Sequence, residues 1–293
     1  MITRKRPSEV IRNHTHLIVI CGRVTFGFLD HYYCDGGILF DYIRTVFAEE
    51  NLAPMNFPKY TYSPFVSEAM AIQFFSNQSL QLLTYPSQIR DIGLTTRVLS
   101  KFLLVDDTIK SNRWTTFAVS TLPIFDSMPH IDYLRVVITV GFDTDRTFCN
   151  NRIGVIPIII ARSNKSIYNQ RIADLSEQFR IQVTTKYMDA HTSYDILRSY
   201  DTGYAHDFGI HKYFDVILTS FYLKSNFTTF HSGIGGFVGA VSQYPFLYIN
   251  AMVTNNSTHL TYVSNLKQMN YDTLVNDGMT VEYEFDNNDP TQF

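Results

Sequence analysis

The hydrophobic residues of this chain fall into short runs of strand-like composition, broken by stretches in which they recur at helical spacing. His14-Thr15-His16-Leu17-Ile18-Val19-Ile20-Cys21-Gly22 and Val24-Thr25-Phe26-Gly27-Phe28-Leu29 are rich in β-branched and aromatic residues. They predict two strands joined across Gly22-Arg23. Leu39, Tyr42, Ile43, Val46 and Phe47 then follow a helical period, which predicts an amphipathic helix. Pro54, Pro58 and Pro64 rule out regular structure over 51–64, because each lacks an N–H and fixes its own φ. Residues 65–83 are helical in character, with Glu68, Gln73 and Gln78 among apolar positions, and 94–105 form another mixed apolar stretch.

The second half repeats this grammar. Residues 113–125 predict a helix, and Ile131-Asp132-Tyr133-Leu134-Arg135-Val136-Val137-Ile138-Thr139-Val140 a strand. Val155-Ile156-Pro157-Ile158-Ile159-Ile160 is a further strand, after which Ile167, Ile172, Leu175, Phe179 and Val183 make the apolar stripe of a helix over 166–188. Residues 200–212 are polar and irregular. Tyr213 to Phe221 is the next strand, and 245–254 and 259–264 are two closing strands joined at Asn255-Asn256, a hairpin signal. The tail around Asp286, Asn287, Asn288 and Asp289 is expected to fray.

Composition narrows the function classes. The chain has 293 residues and a net charge of −3, enough length for two modest domains or one large one and no global attraction to nucleic acid or acidic membranes. Its longest apolar run, Ile153 to Ala161, is well short of the roughly 20 residues a membrane helix needs. The basic start Met1-Ile2-Thr3-Arg4-Lys5-Arg6-Pro7 has no apolar core behind it and is not expected to be a secretory signal. Cys21, Cys34 and Cys149 form no CxxC pair or disulfide ladder, which suits a reducing, cytoplasmic setting. His14 and His16 share one side of a strand, but no further ligand clusters with them, so no metal is expected. With 23 Phe and 19 Tyr the chain favours an ordered, strand-rich core.

The chemistry centres on Phe28-Leu29-Asp30-His31-Tyr32-Tyr33-Cys34-Asp35-Gly36-Gly37. A strand running out of its sheet just before His31 would present one imidazole nitrogen to a substrate while the other is fixed locally, the arrangement of a general base. Gly36 and Gly37 permit the bend into the following helix. The same spacing also suits an ordinary strand-to-helix turn in which His31 is incidental. Cys34 or a serine as the nucleophile of a hydrolase is the weaker reading, since no base and orienting acid can be set beside either.

His31-Tyr32-Tyr33-Cys34-Asp35-Gly36 resembles the HxxxDG motif of the CoA-dependent acyltransferase superfamily, which includes chloramphenicol acetyltransferase, dihydrolipoamide acyltransferase, condensation domains, BAHD acyltransferases and wax ester synthases. The flanking strand and helix fit as well. The resemblance implies an α/β (α+β) fold, a chloramphenicol acetyltransferase-like two-layer sandwich with a mixed sheet and flanking helices. It also implies that His31 deprotonates the acceptor and that Asp35 is structural, holding the loop and itself held by an arginine. It extends from about Leu17 to about Ser264. Arg146 and Asn150-Asn151, before the 155–160 strand, resemble the Arg-bearing turn and Gly-Asn pair of the family's second half, with Asn150 replacing the glycine. Asp207-Phe208-Gly209 is a weaker echo of the BAHD DFGWG motif.

In the family a serine or threonine at the end of the 213–221 strand donates to the oxyanion. Ser220 is the first candidate and Thr219 the second, since alternation turns only one of them inward. A neutral donor there is worth roughly 3 kcal/mol in the transition state. With 30 residues before the motif, a shortened two-half acyltransferase is expected. Residues 1–110 would form a partial N-terminal half carrying the motif and 111–293 the C-terminal half, with a homo-oligomer or a missing N-terminal segment as ways to complete it. The implied reaction moves an acyl group from acyl-CoA or a carrier thioester, a co-substrate and not a resident cofactor, to an alcohol or amine. The competing reading is a catalytically inactive relative serving as a binding or assembly module.

Overall fold

A computed structural model of the chain describes residues 16–21, 24–29, 73–74, 76–77, 80–81, 83–89, 91–104, 113–141, 153–187, 214–222, 245–253 and 257–287. The contacts divide the chain into two compact units, one of residues 1–64 with 141–154 and one of 65–140 with 155–293.

In the first unit β1 (His16–Cys21) pairs antiparallel with β2 (Val24–Leu29), from His16 opposite Leu29 to Cys21 opposite Val24. The two strands stand two residues apart in sequence, as the patterning predicts. The expected helix over 39–47 and the proline-rich loop over 51–64 lie outside the described residues.

The second unit is built on a seven-stranded mixed sheet in the order β5-β4-β6-β7-β8-β3-β9. Its strands are β3 (Ile92–Leu104), β4 (Tyr133–Gly141), β5 (Ile153–Ala161), β6 (Val216–Tyr222), β7 (Leu247–Val253), β8 (Ser257–Leu266) and β9 (Thr280–Asp286). β4, β6 and β7 run parallel, and β7, β8, β3 and β9 are successively antiparallel. The helices are α1 (Arg113–Ser127), α2 (Tyr168–Thr185) and α3 (Tyr271–Asn276), and the described residues between 73 and 84 are helical too. This is the α/β class that the sequence implies. None of the helices among the described residues is long and apolar enough to cross a membrane.

Lateral partners share a face of a sheet, so the register separates two surfaces. Leu99, Tyr262 and Ile249 stand side by side on β3, β8 and β7, and the Tyr262 hydroxyl donates to the Ser120 carbonyl of α1 at 2.7 Å. That is the helix-covered face. α1 contacts α2, α3, β6 and β7 and is buried over most of its length. Its interior hydroxyls are satisfied locally: Ser120 donates to Thr116 O and Thr121 to Phe117 O, each at 2.7 Å. On the other face Phe246, Tyr248 and Val263 form a second apolar cluster, with Val98, Ile217 and Phe285 packed against it.

Two consequences follow for stability. Phe179 of α2 is fully buried and tilts against Phe117 of α1, ring centroids 5.5 Å apart. Phe179→Ala is expected to cost about 3–5 kcal/mol, the lost transfer energy plus an unfilled cavity, and to lower the urea midpoint of unfolding at an unchanged m-value. Burial also pushes the Tyr262 phenol far above its ordinary value of 10.0, and raises Tyr248 and Tyr271. Below the ordinary value folded and unfolded chains are equally protonated. Above it the unfolded chain loses protons that the folded one keeps, so stability falls as pH climbs from about 10 toward the raised values. Alkaline titration of the unfolding free energy is expected to show that fall, and Tyr262→Phe to blunt it while costing about 1 kcal/mol for the lost hydrogen bond.

The carboxyl-terminal part departs from the expectation of fraying. β9 pairs with β3 as far as Asp286. Asn287 then donates from its backbone N to Leu94 O at 2.8 Å and from Nδ2 to Gly93 O at 2.9 Å, and accepts from Thr96 Oγ1 at 2.6 Å. Three hydrogen bonds hold the segment down, each across more than 190 residues of sequence. Residues 288–293 lie outside the described residues. β3 stands in one sheet with β8 and β9, and the expected domain boundary near 110 lies outside the described residues.

Candidate functional site

β2 ends at Leu29, two residues before His31. His31 and Asp35 lie outside the described residues, as do Cys34, Arg146, Asn150, Asn151 and the Asp207-Phe208-Gly209 segment. What the structure describes is the strand that carries Ser220 and Thr219.

Both sit toward the carboxyl end of β6, the strand between parallel neighbours β4 and β7. Ser220 is half-buried and lies beside Ala251. By alternation it shares the helix-covered face with the buried Leu218. Thr219 is buried, lies beside Asn250 and faces the other way.

The Thr219 hydroxyl is 2.9 Å from the Tyr248 hydroxyl and donates to Asn250 Oδ1 at 3.1 Å. Either hydroxyl of the Tyr248–Thr219 pair can be the donor, and the Ile249 carbonyl at 3.5 Å is a second acceptor within reach of Thr219. Tyr248, Thr219 and Asn250 are thus a buried hydrogen-bonded chain, and burial raises the Tyr248 pKa. The chain opens a longer polar row. Thr219, Asn250, Thr261 and Ser100 stand side by side across β6, β7, β8 and β3, all buried, and Ser100 donates to Glu282 Oε1 on β9. Burying hydroxyls and amides costs free energy unless each is bonded, so such a row is a built feature of this face.

At the opposite end of β6 a buried ion pair sets the start of the parallel strands. Arg135 of β4 donates from Nε to Asp215 Oδ2 at 2.9 Å and from Nη2 to Asp215 Oδ1 at 2.6 Å, and the two side chains are 8% and 6% exposed. Ser87 Oγ donates to the same Oδ1 at 2.6 Å. Asp215 N bonds Arg135 O at 2.8 Å, and Leu247 N bonds Asp215 O at 3.3 Å. One residue thus ties together β4, β6, β7 and the segment after the 73–84 helical residues. No group of histidine, cysteine and acidic side chains among the described residues is arranged to hold a metal.

Neither a protein-family model nor a curated protein matches this sequence, but solved structures do. The epimerization domain from the third module of tyrocidine synthetase B is 13% identical, with a TM-score of 0.51 over 86% of this chain and 65% of that one. The condensation domain of chain release from the enacyloxin polyketide synthase is 8% identical, with a TM-score of 0.50 over 86% of this chain and 56% of that one. The fold is that of condensation domains. The chain spans 65% and 56% of the lengths of these two structures.

The sequence reading singled out the two β6 hydroxyls but not Tyr248, Asn250, Arg135 or Asp215. One signal was present: Asn250 interrupts the apolar run Leu247-Tyr248-Ile249-Asn250-Ala251-Met252-Val253, every residue of which is buried. The ion pair spans 80 residues of sequence, and no local pattern marks it.

Proposed function

We propose that this chain transfers an acyl group from a thioester, acyl-CoA or a carrier-bound thioester, to an alcohol or amine. His31 is the general base, Asp35 holds the bend that follows it, and Ser220 donates to the tetrahedral oxyanion. The observation that carries this reading is the His31-x-x-x-Asp35-Gly36 sequence, two residues beyond the end of β2, in a chain with a condensation-domain fold. The base takes the acceptor's proton as its oxygen or nitrogen attacks the thioester carbonyl. Collapse of the tetrahedral species expels the thiolate, which regains a proton from the imidazolium. Attack is direct, so no acyl-enzyme is formed. Ser220 is preferred over Thr219 as the donor because the Thr219 hydroxyl is buried and already bonded to Tyr248 and Asn250.

The test is thiol release from a panel of acyl-CoAs of increasing chain length and from an acyl-pantetheine, each with alcohol and amine acceptors. Turnover of at least one donor, dependent on acceptor, supports transfer. A native chain that turns over none of them rejects the enzymatic reading and leaves the alternative, an inactive binding or assembly module.

A further inference from the structure

Among the described residues β5 is the outer strand on the side of the sheet away from β9. Its sequence, Ile153-Gly154-Val155-Ile156-Pro157-Ile158-Ile159-Ile160-Ala161, carries no charge. An uncharged, aliphatic edge strand is a template for another strand. Here its backbone groups are taken by side chains of α2. Gln178 Oε1 accepts from Ala161 N at 2.9 Å, and Gln178 Nε2 donates to Ala161 O at 3.2 Å. One helical turn on, Gln182 Oε1 accepts from Ile159 N at 3.0 Å, and Gln182 Nε2 donates to Ile159 O. A turn further, Lys186 Nζ donates to Pro157 O at 2.9 Å, and Pro157 has no N–H to satisfy.

A glutamine amide offers one carbonyl and one NH2, the same acceptor and donor as a peptide group. The repeats also match. Four helical residues rise about 6.0 Å, and two strand residues about 6.6–6.8 Å, so 178, 182 and 186 stay in step with 161, 159 and 157. The other edge is kept apart by different means: β9 carries Glu282, Glu284 and Asp286 and a register shift against β3.

We infer that Gln178, Gln182 and Lys186 act as a surrogate eighth strand that closes the β5 edge against strand pairing with a second copy of this chain. The device is independent of the acyl-transfer reading.

The test is Q178A/Q182A in the full chain, which leaves α2 with good helix formers. Lys186 is left in place because it also bonds Gln81 Oε1. Light scattering at matched concentration is expected to show at least a twofold rise in mass over the native chain. Adding Ile159→Pro, which removes the N–H through which a strand would pair, is expected to restore the native mass. Hydrogen exchange of the single variant Q182A, which perturbs the fold least, is expected to show faster exchange at Ile159. Native mass for the double variant, assembly that survives Ile159→Pro, or unchanged exchange at Ile159 in Q182A would each overturn the inference.

Discussion

His31→Ala is expected to lower the rate of thiol release by about 10²- to 10⁴-fold, the usual worth of a positioned general base. The fall should appear in kcat, with KM for the thioester little changed, because the base acts on a proton in flight and not on the bound donor. The pH profile carries the sharper signature. A base must be deprotonated to work, so the native rate should rise with pH through the titration of an imidazole, and the variant's residual rate should lose that limb. Circular dichroism and thermal melting alongside the kinetics separate lost chemistry from lost fold. An alanine variant that keeps the native rate and the native pH profile removes His31 from the reaction.

Asp215→Ala is expected to destabilise the second unit by about 3–5 kcal/mol, because it leaves the buried Arg135 guanidinium without its carboxylate. In a unit of this size that corresponds to a fall in Tm of roughly 10 °C. The Ser87 hydroxyl loses its contact with Asp215 and keeps the Ile89 carbonyl as an acceptor, so the tie between the 85–89 segment and the ends of β4 and β6 should loosen. Asp215→Asn keeps the shape and an acceptor oxygen for Ser87 but not the charge, and is expected to recover only part of the loss. Pairing Asp215→Leu with Arg135→Met removes both charges. That double variant should be more stable than Asp215→Ala alone, since two well-packed apolar side chains avoid the isolated cation. Equal melting of Asp215→Ala and the native chain would show the pair to be dispensable.

The elements differ in how readily they could be read, and the difference is physical. α2 buries one stripe, Leu175, Phe179 and Val183, and keeps a helical period, whereas β4, β7 and β8 are buried on both faces and read as short apolar runs. β3 is 13 residues long and its apolar positions do not all face inward: Leu99 is fully buried, whereas Leu94 is 74% exposed and Phe102 56%. Its pattern therefore blurs. β9 buries almost nothing along its length and reads as tail, although backbone pairing with β3 and the Asn287 clamp make it a strand.

Local order along the chain thus determined many of the strands and helices and the place of the histidine motif just past β2, because hydrophobic period and turn residues act over a few positions, and the resemblance around that motif implied the class of fold. Tertiary structure alone decided which strands are neighbours, that Thr219 and Ser220 face opposite sides of the sheet with only Thr219 drawn into the Tyr248–Asn250 chain, and that Arg135 finds Asp215. It also decided that glutamines on a helix close the edge of a strand. Those outcomes depend on groups that are far apart in sequence, and a hydrogen bond or ion pair forms only where the fold brings donor and acceptor within about 3 Å.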